Sequence, residues 1–200
     1  MERKIILASG SPRRRELLAR YGIKFEILVT NADENIDKDI RPDKYVSIIS
    51  RRKAESAVSE VNANHFIIIA ADTIVSIENK ILGKPKDRAD AKAMLEQLEN
   101  RWHTVLTGLT IAYDKDNNIH YEQEVCTSEV KFKPLSDVDI RAYIDTDEPY
   151  DKAGAYAIQG IGAQFVEEIR GSRDNVMGLP MEAVMRMLKI GIDSPNTREI

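Results

Sequence analysis

The stretch HFIIIAADTIVSI, His65 to Ile77, constrains this chain more than any other. The run from His65 to Ala71 is apolar, too short for a typical helix and rich in β-branched side chains, which is the pattern of a buried strand. Thr73 to Ile77 carries the pattern on towards a turn at Glu78, Asn79 and Lys80. A chain that spends its most apolar segment this way builds its core around a sheet. Asp72 interrupts the run. A carboxylate entering a buried strand is costly unless paired, hydrogen-bonded or bound to metal. Asp72 is therefore expected at a strand end opening on a cleft, where α/β enzymes commonly place catalytic groups, or as an acid that simply reaches solvent there.

The segments around this run alternate. Lys4 to Ala8 reads as a short strand, and Arg14 to Tyr21 as a helix that Ser11 is placed to cap, with Pro12 in its first turn. Lys24 to Val29 reads as a second strand, Asn31 to Asp39 as an acidic loop and Pro42 to Val61 as one long helix. Asp87 caps a helix running to about Asn100, residues 103–132 suggest three strands with a hairpin turn around Asp116 to Asn118, and Ser136 opens a further helix. A loop around 146–154, a strand from Gly162 to Arg170 and a helix from Pro180 to Ile190 complete the pattern, with a tail after Gly191 expected to fray. Hairpins break the βα alternation, so the expected fold is α/β: a mixed twisted sheet with flanking helices, forming one domain over residues 1–200 with two lobes around a central cleft.

Charge narrows the function. With 29 Lys and Arg against 33 Asp and Glu, the net charge of −4 argues against wrapping a nucleic-acid polymer. The positive charge nevertheless gathers at Arg13-Arg14-Arg15, Arg51-Arg52-Lys53 and Lys84/Lys86, which suits a small polyanion. Cys126 is the only cysteine, which excludes an intrachain disulfide and a cysteine-based zinc site and fits a reducing, cytoplasmic setting. No apolar stretch approaches the ~20 residues that span a bilayer, so no membrane role is expected. Dinucleotide-binding and Walker A glycine patterns are missing, and no serine or cysteine stands in a recognisable nucleophile setting.

Four places remain as candidates. In LASGSPRRRELL, Leu7 to Leu18, a helix N-terminus lies beside Ser9, Gly10 and adjacent arginines. That is either an anion site or an ordinary capped helix. Lys53 falls on the apolar stripe of its helix with Val46, Ile49, Ala57 and Val61, so it must snorkel or meet an anion. Lys84, between Gly83 and Pro85, is a cation fixed by a rigid turn. EPYDKAGAYAIQG, Glu148 to Gly160, is too long for a simple turn. In it Gln159 could hydrogen-bond a base edge and Tyr150 or Tyr156 could stack, unless the segment is an Ω-loop packed on its own tyrosines.

LASGSPRR, RRKA, AADTIV, LGKPKD, the Thr107-Gly108 pair, DEPYDKAGAYAIQG and NVMGLP stand in an order that resembles the Maf family of nucleoside triphosphate pyrophosphatases, over essentially the whole chain. The resemblance implies a fold related to inosine triphosphate pyrophosphatases and hydrolysis of a nucleoside triphosphate to monophosphate and pyrophosphate, with a divalent cation, Mg²⁺ or Mn²⁺. It implies Asp72 as proton acceptor, Ser9, Arg13, Arg14, Lys53 and Lys84 around the phosphates, and Glu34 with Asp72 near the metal. The loop resembles that of the dTTP/UTP type, for which Arg13, Thr73 and Gln159 mark specificity; the 7-methyl-GTP type carries a different loop here. A homodimer is the assembly the family implies. A nucleotide-binding regulator of cell division using the same pocket is the alternative from another class, but a pure binder has no need of a proton acceptor beside the phosphates.

Overall fold

The computed structural model describes residues 3–36 and 39–193. Its sheet is mixed and has seven strands, β1 Lys4–Leu7, β2 Glu26–Ile27, β3 Phe66–Ile77, β4 Lys80–Leu82, β5 Trp102–Lys115, β6 Asn118–Phe132 and β7 Val166–Arg170, in the order β2-β1-β3-β5-β6-β7 with β4 paired to β3. β3, Phe66–Ile77, is the axis, and eleven of its twelve residues are buried. One edge pairs antiparallel with β5, Trp102–Lys115, from Ile67 to Ser76. The other edge pairs parallel with β1, Lys4–Leu7, only as far as Ile69, and antiparallel with β4, Lys80–Leu82, only from Val75. Residues Ala70 to Ile74 thus have no strand on that side, and this gap is where the cleft opens. Asp72 therefore sits in mid-strand, not at a strand end. β5 keeps the strand running past it, while the missing neighbour on the other edge does what a strand end would have done.

Side-chain alternation along β3 assigns its two faces. Ile67, Ile69 and Ala71 pack with Leu17 and Leu18 of α1, Pro12–Arg20, and with Val184 and Leu188 of α6, Met181–Asp193. Ile68 and Ala70 pack on Ala54 and Ala57 of α2, Pro42–Glu60. By the same parity Asp72 faces α2 and Thr73 faces α1. Beyond the gap, Val75 and Ile77 join a second cluster with Leu95 and Leu98 of α3, Arg88–Leu98, and with Tyr143 and Ile144 of α4, Asp137–Ile144. The two hydrophobic bodies share the long strands and leave the cleft between them.

Several expectations need correction. Residues 103–132 form two strands, not three: β5 and β6, Asn118–Phe132, joined by a tight turn with positive φ at Asp116 and Asn117. β2, Glu26–Ile27, covers only part of the Lys24 to Val29 strand. β7, Val166–Arg170, starts later than Gly162, because Ile161–Phe165 is a short 3₁₀ turn. β4 and the single-turn α5, Arg173–Val176, are too short to leave a periodic signal. Asp87 and Ser136 cap α3 and α4 through their side chains, Ser136 in a reciprocal box with Asp139. Ser11 stands at the N-cap of α1, yet its side chain makes no capping bond. α6 runs through Asp193 into the segment expected to fray, and the rest of that tail lies outside the described residues. Among the described residues no helix is long and apolar enough to cross a membrane.

Candidate active site

One cleft of about 1040 Å³ is lined by Ser9, Arg13, Arg14, Glu34, Lys53, Asp72, Thr73, Lys84 and Gln159, whereas Tyr150 does not line it. Its first wall is the turn into α1. The Ser9 hydroxyl accepts the Ser11 N–H at 3.2 Å and an Arg14 Nη1–H at 3.1 Å. Arg14 also donates from Nε to the Gly178 carbonyl at 2.7 Å and from Nη2 to the Thr73 hydroxyl at 3.1 Å. Thr73 in turn shares a hydrogen bond with Thr107 at 2.9 Å, and Thr107 donates to the Asn175 carbonyl at 3.1 Å. Burial pulls the Arg14 pKa down and the charge of Asp72 opposes the shift. Arg14 is thus the brace of this wall, and Thr73, which it holds, lines the cleft beside it. Arg13 makes no hydrogen bond or ion pair among the described residues and borders the cleft directly.

The second wall is α2. Lys53 Nζ donates to Asp72 Oδ1 at 2.7 Å and lies 3.1 Å from Glu34 Oε1. Only 14% of the Lys53 side chain and 12% of the Asp72 side chain are exposed. The lysine on the apolar stripe meets an anion, and the carboxylate in the apolar strand meets a cation. Asp72 pairs across the sheet with Gly108, and a Cβ built on Gly108 would stand 2.2 Å from the Val46 carbonyl of α2. The missing side chain lets α2 lie close enough to the sheet for Lys53 to reach Asp72. Glu34, mostly exposed on its loop, brings a second carboxylate to the same ammonium.

The third wall joins the Lys84 turn to the loop after α4. Lys84 is exposed and, among the described residues, makes no hydrogen bond or ion pair. The Gly83 carbonyl beside it accepts the Gly154 N–H at 3.0 Å. Gln159 is exposed in the cleft, and its side chain has no hydrogen-bond partner among the described residues. The tyrosines are not free platforms. Tyr150 donates to the Ile144 carbonyl at 2.7 Å. Tyr156 is buried, bonds His103 Nε2 at 2.7 Å and packs edge-on against Phe132. For the tyrosines the self-packed loop is the better description. Burial holds the His103 pKa down to about 4, with the Arg101 backbone pushing the other way.

Lys86, Glu148 and Asp151 also line the cleft. Lys86 belongs to the positive cluster of the Lys84 turn read from the sequence, whereas Glu148 and Asp151 stand out there only as charges of the 148–160 loop, with no individual role. Burial alone would raise the Asp151 pKa, but the hydrogen bond and charge of Lys152, with Arg13 adding, hold it below the usual carboxylate range. Among the described residues no group of three or more His, Cys, Asp or Glu is arranged to hold a metal ion. Within the cleft, Glu34 and Asp72 converge on one point, the Lys53 ammonium.

A cleft with free cations around one anchored carboxylate, cut where two hydrophobic bodies share a mixed sheet, defines an α/β protein built for a small polyanion. The chain belongs to the Maf family: the model of that family, described as Maf-like protein, matches residues 4–190. It is 48% identical over 190 residues to a protein of Thermoanaerobacter sp. (strain X514), covering 95% of this chain and 97% of the relative. It is 44% identical to one of Caldicellulosiruptor bescii, covering 96% of each, and 46% identical to one of Bacillus anthracis, covering 94% and 95%. Each of the three is named dTTP/UTP pyrophosphatase.

Proposed function

We propose that this protein hydrolyses dTTP and UTP to the nucleoside monophosphate and pyrophosphate. The names of the relatives support the substrate class, and the observation that carries the chemistry is Asp72, held at 2.7 Å by Lys53 inside a cationic cleft. Water attacks the α-phosphorus; the new P–O bond forms as the bond from that phosphorus to the bridging oxygen breaks, and pyrophosphate leaves. The proton of the water passes to Asp72. Lys53 occupies Oδ1, and Oδ2 has no hydrogen-bond partner among the described residues, so it is the oxygen that accepts. Phosphoryl transfer depends chiefly on positioning and on neutralising spread charge. Arg13, Lys53 and Lys84 supply that charge, while Ser9 and the braced Arg14 shape the turn at the α1 N-terminus, where amides favour phosphate. Gln159, with Arg13 and the Arg14–Thr73 brace, reads the base end.

The donor set fits a divalent cation. Glu34 and Asp72 both stand against the Lys53 ammonium and would hold the cation beside it, since hard cations such as Mg²⁺ are typically held by one or two carboxylates together with substrate phosphates and water. When bound, Mg²⁺ or Mn²⁺ would neutralise phosphate charge and polarise the phosphoryl oxygens.

Product analysis tests the reading. Purified protein with Mg²⁺ or Mn²⁺ is offered dTTP, UTP, CTP, GTP, ATP, ITP and 7-methyl-GTP, and pyrophosphate release is separated from single phosphate release. Pyrophosphate from dTTP and UTP above the rest is the expected result. Preference for 7-methyl-GTP would overturn the base reading, and tight binding without turnover would overturn the enzyme.

A further inference from the structure

Gln159 must present its amide to a base, yet nothing holds that side chain among the described residues. Its direction is therefore set by the backbone on either side. Upstream, Ile158 is buried and Tyr156 is tied to His103. Downstream stands Gly160, with φ 79° and ψ −151°, a conformation essentially reserved for glycine. Glycine adopts such a backbone without strain, so the surroundings select it, and the contacts centre on one side chain. Glu148 Oε2 accepts the Ile161 N–H at 2.8 Å and Oε1 accepts the Gly162 N–H at 2.8 Å. The buried Tyr143 hydroxyl donates to Oε1 at 3.1 Å, and Lys152 Nζ donates to the Glu148 carbonyl at 2.8 Å. A Cβ on Gly160 would lie 2.4 Å from Glu148 Oε2, so the glycine and the carboxylate fit only together.

We propose that Glu148 is a positioning residue for base selection: its carboxylate clamps the Ile161 and Gly162 amides and thereby fixes the backbone that aims Gln159. Burial alone would raise the Glu148 pKa, but the two amides, the tyrosine hydroxyl and Lys152 bring it below the usual range, so the clamp is ionised at neutral pH. The carboxylate also fills the small anion-binding hollow that consecutive amides would offer, which leaves the phosphates to the opposite wall. The proposal rests on the reading of Gln159 as a base contact.

The test compares Glu148→Gln, Gln159→Ala and the double variant in steady-state hydrolysis of UTP and CTP, with thermal melts to check folding. Loss of a charge-assisted clamp should raise the KM for UTP roughly tenfold and narrow the UTP-to-CTP preference, while kcat moves less than twofold. If Glu148 acts through Gln159, the double variant discriminates no worse than Gln159→Ala alone. Wild-type KM and selectivity in Glu148→Gln, or an additive loss in the double variant, overturns the proposal and leaves Gln159 in place. Unchanged selectivity in Gln159→Ala overturns the base-contact reading and the proposal with it. Should Glu148→Gln fold poorly, Tyr143→Phe, which removes one bond to the same oxygen, is expected to shift KM and selectivity in the same direction by less; no shift in that variant also overturns the proposal.

Discussion

The phosphate wall and the base loop solve the same problem by opposite means. Around Asp72 the central pair stands on long regular elements, β3 and α2, and is matched in charge: Lys53 on Asp72, with Glu34 of the preceding loop on Lys53. From Glu148 to Gly162 the backbone makes only short 3₁₀ turns, and the working side chain, Gln159, is unheld. That loop is pinned from outside by Gly83 on Gly154 and His103 on Tyr156, and across itself by Glu148 on Ile161 and Gly162. At Gly154 it also presses close on β3, since a Cβ there would meet Val75 at 2.9 Å. Chemistry common to all triphosphates tolerates little displacement and is placed on rigid structure. Discrimination among bases is carried by a loop whose shape can differ without disturbing the scaffold.

The comparison breaks first where the phosphate wall is cut. Asp72→Asn keeps the shape and a partner for Lys53 but removes the proton acceptor, so kcat for dTTP is expected to fall by roughly 10²–10⁴-fold, with nucleotide affinity by calorimetry nearly unchanged. Full turnover would remove Asp72 from the mechanism. Gly108→Ala attacks the same wall without touching a charged group. The 2.2 Å approach to the Val46 carbonyl must be relieved by moving α2, at a cost of about 1–3 kcal/mol for overpacking, and that movement draws Lys53 from Asp72. Loss of both stability and kcat, with UTP-to-CTP preference retained in the residual activity, is the expected outcome. A change in base preference would mean that the two regions are not separable.

How far the sequence could be read follows the same division. Asp72 and Lys53 each violate a hydrophobic pattern, and a violated pattern is visible in one dimension; the structure shows that they resolve each other. What stayed hidden was the contact between them, because it depends on Gly108 on a third element. Asp72 in mid-strand was equally hidden, since the gap between β1 and β4 is a matter of where neighbouring strands stop. In the loop, Gln159 stood out by chemical type. Glu148 did not, since a carboxylate among loop charges looks solvated until its two amide partners are seen. His103 gave no signal either, being one histidine of three scattered along the chain.

His103 also provides the smallest and most selective test. It is 3% exposed, and burial holds its pKa near 4 against an ordinary 6.5. Between those two values the unfolded chain binds a proton that the folded chain refuses, so stability rises with pH across that interval. The contribution is fully present above about pH 6.5 and is lost as the pH falls towards 4, amounting to about 3 kcal/mol for a shift of this size. Below pH 4.5 the clamped Glu148, with its depressed pKa, adds a further loss of the same sign. Urea unfolding at a series of pH values should therefore show a slope between pH 4 and 6.5 that His103→Gln abolishes, although the variant is less stable at pH 8. The acid-sensitive prop stands behind Tyr156 and not behind Asp72. Mild acid should accordingly loosen base discrimination in the wild type, and a slope that survived in His103→Gln would show that groups other than this histidine carry the sensitivity.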